Sequence, residues 1–166
     1  MARSGVASGH PSVVNGSSPD ENHVSSTSVS CSNFPPHFAH AAGASAIVIP
    51  ERRAVGLTES VARAAAGALA YVPIVKVTNI NRSLEALKDA GYWIYGLDER
   101  GDHTYDKVDF TAPTAIVLGG EGKGLHEHVA KHCDFLVRIP MPPGGVASLN
   151  VSVAAGIMLF EWRRKQ

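Results

Sequence analysis

Hydrophobic and polar positions fall into regular patterns from residue 41 onward and into none before it. Ala46-Ile47-Val48-Ile49 is a continuous apolar run stopped by Pro50, which reads as a short buried strand. Ile74-Val75-Lys76-Val77, Trp93-Ile94-Tyr95-Gly96-Leu97, Ala115-Ile116-Val117-Leu118 and Phe135-Leu136-Val137-Arg138-Ile139 read the same way. Between them the spacing becomes helical. Thr58 is placed to cap a helix reaching about Ala70, with Val61, Ala65, Ala68 and Leu69 on one side. Asn81 is placed to cap a second helix, with Leu84, Leu87 and Ala90 inward and Gly91 as its stop. A third helix is expected from about Leu125 to His132. The last runs from Ser148 to near Arg164, where Leu149, Val153, Ile157 and Phe160 make one apolar stripe. Apolar strands alternating with helices predict an α/β fold with a mainly parallel sheet covered on both faces.

Composition changes the picture mainly at the N-terminus. Residues 1–40 carry ten of the fifteen serines, and no Lys or Arg occurs from residue 4 to residue 51. Val13-Val14 is the only hint of a strand there, so residues 1–40 are expected to be a disordered or altered leader, and residues 41–166 one domain. A 166-residue chain that is 45% apolar suffices for one core. Fifteen basic and fifteen acidic residues cancel, so no global positive field draws the chain to nucleic acid. An RNA partner would then be held by local patches, a second subunit or a further domain. Cys31 and Cys133 lie far apart without ligand-type spacing, which disfavours a disulfide framework or thiolate zinc site and fits a reducing cytoplasm. The longest apolar stretch, Val151 to Phe160, is too short to span a bilayer, and no secretory leader is indicated.

Two segments carry candidate chemistry. Gly119-Gly120-Glu121-Gly122-Lys123-Gly124 follows a buried strand at the edge where open α/β sheets bind ligands. It is not a phosphate-binding P-loop, because Gly124 stands where Ser or Thr is required, and it lacks the glycine order of a dinucleotide fold. A ligand loop and a tight strand-to-helix turn both fit it. The second segment, Ile139 to Ile157, joins a strand end, a stiff Pro/Gly loop and a helix start where Ser148 and Asn150 stand beside free backbone N–H groups. His126, His128, His132 and Cys133 lack the acidic partner of a metalloprotease helix and read as a solvated face, so no metal is expected. Arg163-Arg164-Lys165 suits either a phosphate or the negative end of a helix.

Together the two segments resemble the second and third signature motifs of the SpoU/TrmH family of SPOUT methyltransferases. Gly67-Ala68-Leu69 and Val72-Pro73-Ile74-Val75-Lys76-Val77-Thr78-Asn79 are also similar to the bacterial enzymes that methylate a 23S ribosomal RNA guanosine. The resemblance spans residues 41–166. It implies a C-terminal deep trefoil knot, a homodimer, S-adenosyl-L-methionine as cofactor, and methyl transfer to a ribose 2'-hydroxyl of RNA, ribosomal rather than transfer RNA. It places the cofactor at Leu118, Gly119, Ile139, Met141 and Leu149, and polar active-site groups at Glu121, Ser148 and Asn150. Pro142-Pro143 makes the second loop one residue longer than the family's.

The family's first motif, Asn-x-Gly-x-x-x-Arg, has no counterpart. Counting back without gaps puts Asn33 at its Gly and His37 at its Arg, and no Arg lies between Arg3 and Arg52. A non-catalytic relative that still binds cofactor or RNA is therefore the alternative, with an altered reading frame upstream of codon 40 as one origin of the difference. A nucleotide-binding α/β domain of other chemistry fits the composition but leaves the second segment unexplained.

Overall fold

Seven strands pair in one all-parallel sheet in a computed structural model that describes residues 27–30, 36–51, 72–110, 113–120, 124–144 and 148–166. The elements are β1 (Thr27–Ser30), α1 (Pro36–Ala42), β2 (Ala46–Pro50), β3 (Ile74–Val77), α2 (Ile80–Asp89) and β4 (Trp93–Leu97). They continue with β5 (His103–Thr104), β6 (Thr114–Leu118), α3 (Glu127–Ala130), β7 (Phe135–Arg138) and α4 (Val151–Arg164). The strand order is β3-β2-β1-β6-β4-β7-β5. β6 is buried at every residue, which explains its unbroken apolar run. Its side chains alternate between two cores. Ile116 and Leu118 pack with Tyr95, Val137, Met158 and Trp162, while Ala115 and Val117 pack with Leu84, Ile94 and Leu125.

The parallel α/β architecture agrees with the hydrophobic pattern, but several boundaries move. β1 lies inside the segment expected to be a leader, hydrogen-bonded between β2 and β6 in registers such as Ser28↔Ala46 and Thr27↔Thr114. A parallel ladder uses backbone groups only, so a segment whose one apolar residue is Val29 can join it without any apolar run. The sheet thus begins before residue 41, and α1 covers the residues just ahead of it. The helix expected from Thr58 to about Ala70 lies outside the described residues. α2 is capped by Asn79 rather than Asn81: the Asn79 side-chain oxygen accepts from Asn81 N at 3.0 Å and Arg82 N at 3.3 Å. Ala90 is exposed at the helix end, and Gly91 N and Tyr92 N close the last turn on Lys88 O and Leu87 O. The third helix contracts to Glu127–Ala130.

The last helix begins three residues later than expected, because the cap is Asn150 and not Ser148. Asn150 Oδ1 accepts from Ser152 N at 2.9 Å. α4 buries Ala154, Ala155, Met158, Leu159 and Trp162 and packs on α1 and β6. Its basic end serves the fold. Lys165 Nζ donates to Asp106 O at 2.8 Å and Val108 O at 2.6 Å, Gln166 Nε2 donates to Phe110 O at 2.8 Å, and Arg164 pairs with Glu161.

Candidate functional site

The carboxyl ends of β4, β6 and β7 open into one cavity of about 750 Å³, counting its solvent-open mouth. β4 ends in Leu97, with Asp98 and Glu99 just beyond it; β6 contributes Leu118 and then Gly119 and Gly120; the chain beyond β7 contributes Ile139 and Met141; Ser148, Leu149, Val151 and Ala154 close the far side. Apolar side chains make most of this wall. Among the described residues, the polar groups are Asp98, Glu99, Ser148 and the backbone of the glycines.

All five residues expected at a cofactor, Leu118, Gly119, Ile139, Met141 and Leu149, line this cavity. Ser148 lines it too. Asn150 does not; it sits two residues further on, with its side-chain oxygen engaged in the α4 cap. Glu121 lies outside the described residues, and His37 falls in the first turn of α1. Among the described residues, no three His, Cys, Asp or Glu side chains gather as metal ligands, and no helix is long and apolar enough to cross a membrane.

The glycine-rich loop is held by close backbone approach. Gly120 and Gly124 form an antiparallel bridge, and a Cβ on Gly119 would run into the backbone of Gly124. Gly124 has φ +60°, a conformation that L side chains rarely adopt. Gly119, Gly120 and Gly124 thus lie together and present bare peptide groups to the cavity.

The sequence pattern did not single out Asp98. Its carboxylate is buried, and Oδ1 accepts from Arg100 N at 2.9 Å and Arg100 Nε at 2.8 Å. Oδ2 accepts from Arg100 Nη2 at 2.9 Å and Leu125 N at 2.9 Å. The Arg100 side-chain hydrogen bonds outweigh burial and hold its pKa down at about 2. The group thus stays ionised at neutral pH; its stabilising contribution is complete above 3.8 and lost only as pH falls through about 2. The available signal was positional: a carboxylate directly after a buried strand, at the edge where such sheets bind ligands. Cys133, by contrast, is driven by burial to a pKa of about 12 and is an inert packing thiol.

Residues 37–160 match the sequence model of the SpoU rRNA Methylase family. The chain is 48% identical over 128 residues to YacO of Bacillus subtilis (strain 168), placed in the TrmH family of tRNA/rRNA methyltransferases; the match covers 77% of this chain and 51% of that protein. It is 44% identical over 128 residues to the 23S rRNA (guanosine-2'-O-)-methyltransferase RlmB of Pseudomonas aeruginosa, with the same two coverages. The fold is similar to the AdoMet-bound rRNA methyltransferase from Sinorhizobium meliloti, with a TM-score of 0.74 and 29% identity over 84% of this chain and 55% of that one. The chain spans about half the length of the curated relatives it matches. The glycine-rich loop, the Pro/Gly loop and the cavity between them all fall within the matched span, and the chain belongs to the SpoU rRNA methylase family.

Proposed function

We propose that this chain binds S-adenosylmethionine in the cavity and transfers its methyl group to a ribose 2'-hydroxyl of RNA, ribosomal rather than transfer RNA. The carrying observation is that two loops far apart in sequence, one after β6 and one after β7, bring Leu118, Gly119, Ile139, Met141 and Leu149 into a single cavity. Its chemistry fits the cofactor. Apolar walls suit a purine, the glycines present bare backbone to a ligand, and Glu99 at the rim favours a cationic ligand.

When bound, S-adenosylmethionine supplies a methyl group on a positive sulfur, open to attack by a hydroxyl oxygen. The chain contributes position. Its two loops are anchored on β6 and β7, the strands on either side of β4, and holding reactants at attack distance is worth about 7–11 kcal/mol in favourable cases. Leu118, Ile139 and Leu149 exclude water. The Ser148 hydroxyl, on the cavity wall, orients the ribose. Asn150 keeps its amide Nδ2 as a donor while its oxygen caps α4. Glu121 is assigned to fixing the loop or a basic partner.

The two duties of Asn150 are separable by substitution. Asn150→Ala removes the cap and is expected to cost about 1 kcal/mol of stability. Asn150→Asp keeps an accepting oxygen, so the melting temperature holds while methyl transfer drops about tenfold or more. If activity simply tracks melting temperature across both variants, Asn150 is a cap and nothing else.

A second reading has its own observation: no Arg lies between Arg3 and Arg52, where the family's first motif carries one. In that reading the chain binds cofactor or RNA without transferring methyl. Incubating the chain with labelled S-adenosylmethionine and bulk ribosomal RNA tests the first reading. Label in alkali-resistant dinucleotides is expected; saturable binding without label selects the second.

We further infer a homodimer and a trefoil-knotted C-terminus. Val153 and Phe160, seven residues apart on one face of α4, are half exposed, as is Phe38 on the neighbouring α1. Such an apolar face suits a second copy. The knot is supported by family membership and by α4 returning past β7 to pack on α1 and β6. A crystal structure with monomers, or with residues 139–150 outside any loop, contradicts these two inferences. The free thiol of Cys133 is in keeping with a reducing cytoplasm.

A further inference from the structure

Asp98 in the cavity wall is paired with Arg100, which lies outside that wall. The Asp98 side chain is 1% exposed, while its partner Arg100 is 55% exposed. Three of the four hydrogen bonds to the carboxylate come from Arg100, and the fourth comes from Leu125 N, 27 residues along the chain. Leu125 is the first residue after the glycine-rich loop. Arg100 Nη2 also donates to Leu125 O at 3.2 Å, so both backbone groups of that residue are held. The contact leaves no slack: a Cβ on Gly124 would lie 2.7 Å from Asp98 Oδ2. Gly124 in turn bridges Gly120 and abuts Gly119, and both of those line the cavity. Asp98 is itself anchored, its N–H donating to Val137 O of β7 at 2.9 Å.

We propose that Asp98, clamped by Arg100, is a positioning residue that latches the exit of the glycine-rich loop at Leu125 and thereby sets the wall the cofactor meets. The inference rests on the proposed cofactor reading and extends it to residues outside the loops. Both carboxylate oxygens already accept two hydrogen bonds each and the Arg100 guanidinium offsets their charge, so Asp98 acts through the shape of the loop. S-adenosylmethionine and S-adenosylhomocysteine, which lacks the positive sulfur, therefore lose affinity by the same factor when the latch is broken. Asp98→Asn breaks it, because an amide cannot accept from the Arg100 fork and from Leu125 N together.

The test titrates both ligands into the full chain and follows amide exchange at Leu125. Asp98→Asn is expected to weaken both ligands equally, by about tenfold or more. The Leu125 amide, protected in the parent, exchanges faster in the variant and regains protection with ligand. Arg100→Lys keeps the charge but loses the fork, gives the same pattern in milder form, and serves if Asp98→Asn does not fold. Parent-like affinity in folded variant, unchanged exchange at Leu125, or a loss confined to S-adenosylmethionine overturns the latch. If the parent chain binds neither ligand, the cofactor reading fails on its own, and the Leu125 exchange comparison still decides whether Asp98 holds the loop.

Discussion

Gly119→Ala is expected to reduce affinity for S-adenosylmethionine by about a hundredfold, or about 2.7 kcal/mol. The added methyl has no side chain to push aside. It meets the backbone of Gly124, which Leu125 and the Asp98 carboxylate hold in place. Overpacking against adaptable side chains costs about 1–3 kcal/mol; against fixed backbone the loop itself must open, and the loop is the cavity wall. Gly156→Ala is the matched control, since nothing lies within 4 Å of its added methyl. That variant is expected to bind normally and to gain stability, because alanine favours a helix interior by about 0.5–1 kcal/mol. Calorimetric titration of both decides. Affinity for Gly119→Ala within about threefold of the parent contradicts a backbone-built wall.

The second large effect concerns the fold. Trp162→Ala is expected to cost about 3–5 kcal/mol and to lower the melting temperature by roughly 6–20 °C, given about 2–4 °C per kcal/mol for chains of this size. Trp162 is fully buried in the last turn of α4, in the cluster with Phe110, Val137, Met158 and the alanines of α1. Removing it empties the contact between α1, α4 and the sheet. Trp162→Phe is expected to cost much less, about 1 kcal/mol, for a specific reason: the indole Nε1 is buried without a hydrogen-bond partner among the described residues. Phenylalanine removes that unpaired donor and so offsets part of the lost packing. Equal melting temperatures for the two variants contradict this assignment of the cost to volume.

The sheet was legible in the sequence wherever a strand is buried on both faces. β6 and β4 stood out as apolar runs because most of their side chains are buried, on both faces of the sheet. β1 stayed hidden for the complementary reason: its place depends on backbone pairing, which Thr-Ser-Val-Ser provides as well as any other sequence. Helix caps were misplaced by two residues each time. Asn79 and Asn81 are both good caps on composition, as are Ser148 and Asn150, and only the turn geometry selects between them. Within the site, the loop residues were legible through glycine and proline, but Asp98 was not, because its role arises from a contact with Leu125 that crosses 27 residues. That pairing is a property of the sheet order, in which β4 lies beside β6, and no local spacing encodes it.

Methyl transfer by this chain requires the cavity at the ends of β4, β6 and β7 to be a cofactor site. Titration of S-adenosylmethionine into the full 166-residue chain tests this most directly. Saturable binding of one molecule per chain, displaced by S-adenosylhomocysteine, is the expected result. A chain that melts cooperatively yet gives no binding heat with the ligand at about 1 mM contradicts it.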